Sequence, residues 1–311
     1  MKNKLAKIAG SVLVTVLFFY YFYKTVDFGL VAEYVKTVRW EWIAVAALSY
    51  CLTYPVRAFR IYYLTRNSGN HSFLQTQRIC FRHQFFGRII PFKVGDLSLV
   101  YLLKKAGVSV GEGGAVLLLI RLFDGVIIIL SFLLCNLFVN MDVIPGWILL
   151  LVLALAIGAV FFTPFLLSRY VHLLQKLPEK LYRAVEQIRI MLTQSVATLK
   201  NVLVIGLVSL IMWFFVYLSM HGVVLAFSQP ISFPQTVVAS FLASAAAFLP
   251  INGIGGFGMV ETGWTLGFTL LGMDRTVALS SGVVSNTMSF LIICLFGIIS
   301  YIPVKRRNNN V

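Results

Sequence analysis

The chain has 311 residues, 59% of them hydrophobic and 12% charged, with a mean hydropathy of +0.88 and a formal net charge of +15. That much apolar surface with so few charges excludes an ordinary soluble domain, a disordered chain, and a nucleic-acid binder with a solvated basic face. No polar stretch is longer than about thirty residues, which leaves little room for a catalytic domain outside a membrane.

A bilayer core about 30 Å thick asks for about 20 apolar residues per helix. Six runs meet or approach that length: 8–23, 42–63 (with Pro55 inside), 115–139, 147–167, 202–227 and 277–302. The first begins with Lys2, Lys4 and Lys7 like a signal peptide. However, the bulky aromatic stretch 20–26 replaces the small residues a cleavage site needs, so an uncleaved span is expected. Two further apolar stretches, 79–103 and 237–271, are interrupted by Pro91 with Gly95, and by Pro250 with Gly255, Gly256 and Gly258. Non-helical backbone at membrane depth is tolerated only where protein or a cavity covers it, so both read as re-entrant hairpins. The segment 170–200 alternates Leu181, Val185, Ile188 and Leu192 with charged residues, the pattern of an amphipathic helix on the cytoplasmic surface. The fold class expected is therefore an all-α polytopic membrane protein, one integral domain over 1–311, with about six full spans plus two broken-helix hairpins.

The basic residues orient it. The amino terminus carries 3, residues 57–105 carry 9, residues 169–200 carry 6 and the tail 305–307 carries 3, so 21 of the 26 fall on one side of this layout. The positive-inside rule makes that side, with both termini, cytoplasmic. Topology explains most of the charge; in addition Arg57, Arg60, Arg82 and Arg88 are candidates to engage anionic head groups at the surface.

The two broken stretches resemble each other. At a constant offset of 165, Asp96 meets Glu261, Gly107 meets Gly272, and Ile127, Ile128 and Leu130 meet Ile292, Ile293 and Leu295. The halves 79–140 and 237–303 share one order: proline, glycine-containing break, acid, glycine, full span. The loop count places the two hairpins on opposite sides, so the repeat reads as inverted, an arrangement that suits alternating access.

A few charges lie where lipid would penalise them. Arg121 and Asp124 sit three residues apart within the run 115–139, either as a structural ion pair holding this helix to the first hairpin or with Arg121 meeting a phosphate or another anionic group while Asp124 orients it. Asp96 and Glu261 follow glycine-containing breaks, either as helix caps or as gating, protonatable groups. The string 253–258 satisfies GxGxxG literally, yet no strand precedes it, so the glycines are read as permitting a tight turn and close helix approach. Cys51, Cys80, Cys135 and Cys294 show no CxxC spacing, and His71, His83, His172 and His221 no HxxxH; no metal, no cofactor and no catalytic constellation is expected, since no Ser or Cys is paired with a histidine in sequence.

The segments VRAFR at 56–60 and FFGRIIPFKVGDLSLVYLLKKAGVSVGEGGAVLLLIRLFD at 85–124, with FLPINGIGGFGMVE at 248–261 and LLGMDRTVALSSGVVSN at 270–286, resemble the integral-membrane, flippase-like domain of lysylphosphatidylglycerol synthases. Pro91, Gly95, Arg121 and Asp124 match that family's first motifs, with Asp96 in place of a Glu. Pro250, Gly255, Gly256, Gly258 and Glu261 match the second with one extra residue, and Asn286 stands where an Arg is frequent. The resemblance implies a lipid flippase whose site comprises these residues with Arg57 and Arg60. Its candidate cargo is an aminoacylated phosphatidylglycerol, another anionic phospholipid or a polyprenyl-linked lipid, and its candidate partner a synthase or glycosyltransferase. With no synthase domain before Val311, aminoacyl transfer is not expected. A membrane transferase and a non-transporting scaffold for a glycosyltransferase are the alternatives.

Overall fold

The computed structural model describes residues 20, 37–90, 94–139, 145–172, 178–248, 255 and 257–302. Apart from Tyr20, the predicted first span lies outside the described residues, as do Pro91, Pro250, Gly256 and the basic tail. Ten α-helices follow one another, and no strand occurs among the described residues: α1 Trp40–Thr65, α2 Phe73–Ile89, α3 Ser98–Lys105, α4 Val110–Val139, α5 Gly146–Tyr170, α6 Glu179–Val196, α7 Leu199–Ala226, α8 Phe233–Phe248, α9 Met259–Leu270 and α10 Arg275–Ile299. A 3-10 turn, Val94–Leu97, precedes α3. Helices α1, α4, α5, α7 and α10 are long and apolar enough to cross a membrane and coincide with five of the six predicted runs. The chain is a multi-pass, all-α membrane protein.

Each glycine-broken stretch folds as a helix, a break and a shorter helix: α2 with α3, and α8 with α9. The entry to each is capped alike. Ser72 and Gln75 form a reciprocal capping box, and the Thr76 hydroxyl donates to the Ser72 carbonyl at 3.1 Å. Ser232, Gln235 and Thr236 repeat these contacts 160 residues on, again with 3.1 Å from Thr236. The exits also match. In the first loop the amides of Ala106, Gly107 and Val108 donate to Leu103, Lys104 and Leu103, and in the second those of Leu271, Gly272 and Met273 donate to Phe268, Thr269 and Phe268. Both central glycines have positive φ, +90° and +85°, which only glycine adopts without strain. The shift in offset from 160 to 165 means that the second break is five residues longer.

Packing follows the same exchange. Helix α1 lies along α7, α2 packs on α10 while α8 packs on α4, and α3 on α4 corresponds to α9 on α10. Ser49 and Ser209, also 160 apart, each bond the carbonyl four residues back at 2.8 Å. Tyr54, Phe81 and Phe296 join α1, α2 and α10, with ring centroids 4.7–5.4 Å apart. In the second half Gly263 and Gly267 of α9 lie against the backbone of α8 at Ala243 and Ala239, leaving no room for a Cβ.

Helices α5 and α6 stand between the halves. The predicted amphipathic segment is α6, but not every apolar side chain in its pattern faces protein. Leu192 is buried and Ile188 packs beside Gly114 of α4, whereas Leu181 is 55% exposed. The close contact is instead made by Ala184 and Gln187 against Gly111, whose amide donates to the Gln187 side chain at 3.3 Å.

Candidate functional site

The first break, the helices flanking the second and the middles of the long helices meet around a cavity of about 200 Å³. Its wall takes Tyr50 and Arg57 from α1, Gln84 and Arg88 from α2, Asp96 from the first break, Arg121 and Asp124 from α4, Trp213 from α7, and Ser244, Trp264 and Asn286 from the second half. A smaller space of about 40 Å³ shares Arg57, Gln84, Arg121 and Asp124 and adds Arg60 and His83.

The predicted Arg121 and Asp124 share a helix face, as their spacing requires, but each has its own partner. Arg121 holds Asp96 across the first break at 2.5 Å, with the arginine 36% and the acid 15% exposed. Asp124 is bound by Arg60 of α1 at 2.6 and 3.3 Å and by the Trp213 indole N–H at 3.3 Å. The Arg60 guanidinium also donates to Ser209 at 2.7 Å. This corrects the reading in which Asp124 orients Arg121, while the Arg121–Asp96 pair does hold α4 to the first hairpin. It also corrects the surface reading of Arg60, which is 2% exposed and ties α1, α4 and α7 together in the interior. A buried ion pair is costly to break, because removing one partner strands the other charge.

Arg82 and Arg88 likewise have protein partners instead of an exposed surface role. Arg82 donates to the Ser300 carbonyl at 2.8 Å and lies over the Tyr301 ring, and Arg88 reaches across to Asn286 at 2.7 Å and Ser289 at 3.1 Å. Arg57 remains half-buried on the cavity wall.

Gly95 is fixed by contact: a Cβ there would overlap the Phe86 carbonyl and approach Gly87. In the second break Gly255 and Gly258 have φ of +72° and +102°, so the tight-turn reading of the glycine string holds for both. Gly258 caps α9, and Glu261 accepts its amide at 2.8 Å, the capping role anticipated for an acid after a break. Glu261 is fully buried, and its other oxygen accepts from Asn286 at 2.6 Å.

These contacts obey the repeat. Asp96 and Arg121 stand 165 residues before Glu261 and Asn286, so an acid after the break is held by position 121 in one half and position 286 in the other. Asp124 corresponds to Ser289 by the same offset. Gln84, Trp213 and Ser289 were not anticipated; for Ser289 the offset itself was the available signal, while single polar residues in apolar helices give none.

The histidines differ from expectation too. His83 lies 3.1 Å from the Ser98 hydroxyl, His71 2.8 Å from Thr65 and His221 2.8 Å from Thr236, so hydroxyl partners absent from the sequence pattern occur in space. Among the described residues no three His, Cys, Asp or Glu side chains come together as a metal site would require.

An all-α, multi-pass chain with paired broken helices around a charged interior cavity defines an integral-membrane domain. The chain belongs to the family of the lysylphosphatidylglycerol synthase transmembrane region, whose model matches residues 8–297. A search of curated proteins finds no match.

Proposed function

We propose that this protein moves a lipid, or a lipid-linked head group, across the cytoplasmic membrane without altering it chemically. The observation that carries the reading is the cavity: both broken segments border it, and arginines line it at a depth where lipid tails cannot satisfy them. A volume of about 200 Å³ is below that of a drug-sized site, so a head group enters while its acyl chains stay between helices and lipid. The reciprocal packing of the halves supports an inverted repeat that opens the site alternately to either side, with the hairpins re-entrant and both termini cytoplasmic. A lipid synthase or glycosyltransferase supplies or uses the cargo.

The test is reconstitution of the full chain in vesicles that carry acyl-labelled anionic and polyprenyl lipids, following access of dithionite to the label. Transport above that of empty vesicles is expected, falling at least tenfold in Arg121→Ala with folding intact; no movement for any lipid of the panel sinks the reading. The alternative of a head-group transferase draws on the pair His83 and Ser98. Lipid mass spectrometry separates the two: transport leaves composition unchanged and alters only leaflet distribution.

A further inference from the structure

The cavity is not electrically balanced. Arg57, Arg60, Arg88 and Arg121 stand on or directly behind its walls, against Asp96, Asp124 and Glu261. Arg60 is matched by Asp124 and Arg121 by Asp96, and Arg88 reaches Glu261 through Asn286. Among the described residues, four guanidinium groups against at most three carboxylates leave one positive charge over.

That charge is Arg57, which makes no hydrogen bond or ion pair with any described residue. It shares the wall with Gln84 of α2, whose amide also lacks a partner among the described residues. Tyr50, seven residues before Arg57, lies on the same face of α1, and across the cavity the Ser244 hydroxyl is buried without a partner. A half-buried guanidinium with no anion beside it is open to one, and its planar fork matches a phosphate oxygen pair. Arg60 and Arg121 cannot take that role without giving up a carboxylate, and Arg88 is already held by Asn286 and Ser289.

We infer that the cavity selects a lipid head group of net negative charge, seating its phosphate on Arg57 and Gln84, and disfavours a net-cationic aminoacylated head group. The inference rests on the transport reading for its lipid context and goes further in naming the charge class and the anchoring residue. A lysyl ester of phosphatidylglycerol adds two ammonium groups to one phosphate. It would therefore bring net positive charge to a wall that already carries an excess, and the two carboxylates that line the cavity among the described residues, Asp96 and Asp124, each already hold an arginine.

The experiment is equilibrium binding to the purified full chain in detergent, read from tryptophan fluorescence because Trp213 and Trp264 line the cavity. Short-chain phosphatidylglycerol, its lysyl ester and free glycerol phosphate are titrated separately. Phosphatidylglycerol should bind at least tenfold more tightly than either of the others. Arg57→Ala should weaken it at least tenfold and abolish its advantage over the lysyl ester, with Arg57→Lys recovering part of the loss. Equal or tighter binding of the lysyl ester overturns the inference, as does unchanged affinity in a folded Arg57→Ala. Binding of free glycerol phosphate as tight as that of the lipid overturns the lipid assignment. The wild-type comparison needs no variant, so it decides even if Arg57→Ala fails to fold. Charge-selective binding without transport in vesicles would refute the transport reading alone, and transport without charge selection would refute this inference alone.

Discussion

The two broken segments share a scaffold and differ in chemistry. Both begin with a serine–glutamine capping box and end in a positive-φ glycine closed by the same three hydrogen bonds. Between those fixed points the first half presents a charged pair, Asp96 with Arg121, that reaches the cavity, while the second encloses Glu261 with a neutral amide, Asn286, out of solvent. Arg88 then crosses from the first half to that amide, so a cation still faces the second acid without occupying the repeat-equivalent position. Duplicated backbone contacts set where the acids sit; the side chains opposite them set how open each one is to a ligand.

The largest effect expected comes from making the halves alike at the position where they differ most in buried charge. Asp124→Ser installs the residue found at 289 and strands Arg60 in the interior without its carboxylate. Loss of one partner of a buried pair costs about 3–5 kcal/mol. Ser289→Ala removes one hydroxyl from Arg88 and should cost about 1 kcal/mol. Thermal unfolding in detergent compares them. If Asp124→Ser melts no lower than Ser289→Ala, the Arg60 pair does not anchor the bundle, whereas a double change of Arg60 and Asp124 to apolar residues of similar volume should recover most of the loss.

A middle-sized effect separates how the two hairpins close. In the first, contact is concentrated at the break, where Gly95 meets the Phe86 carbonyl; in the second it runs along the helices, where Gly267 meets Ala239. Alanine at either site forces backbone apart, at about 1–3 kcal/mol. Gly125, with open space around its Cβ position, should accept alanine with no loss, gaining about 0.5–1 kcal/mol from helix propensity. Equal melting temperatures for Gly267→Ala and Gly125→Ala would remove the glycine seam as the basis of the second hairpin.

Much of the scaffold was legible because its signals are local and rare. Apolar length located α1, α4, α5, α7 and α10, since a span must satisfy its backbone internally and bury few charges. Glycines 107 and 272 and acids 96 and 261 gave the offset because few residues compete for those roles in an apolar chain. The matching caps at Ser72 and Ser232 escaped it, since the longer second break changes the offset between cap and acid. The site was less legible. Arg60 and Asp124 are 64 residues apart, and a loop count assigns Arg60 to the surface although α1 carries it inside. Leu181 obeys the helical period yet is exposed, because periodicity says which residues share a face and not whether that face meets protein or lipid.

The smallest effect tests the entry to the first hairpin against the second. His71 precedes the capping Ser72, and Ile231 holds the corresponding place before Ser232; both are 8% exposed. Burial lowers the His71 pKa from its ordinary value of 6.5, and the imidazole Nδ1 has no partner to favour a second proton. As pH falls past about 6.5 the unfolded chain therefore takes up a proton at this residue before the folded one does, and stability declines until the lowered folded pKa is passed. His71→Ile copies the second half and removes that dependence, while the Thr65 hydroxyl keeps its 2.8 Å bond to the Ile61 carbonyl. Between pH 7.5 and 5 the wild type should lose about 1–2 °C more in Tm than the variant. Parallel curves would mean that His71 is protonated equally in both states, and that burial at this cap imposes no charge penalty that the isoleucine of the second half avoids.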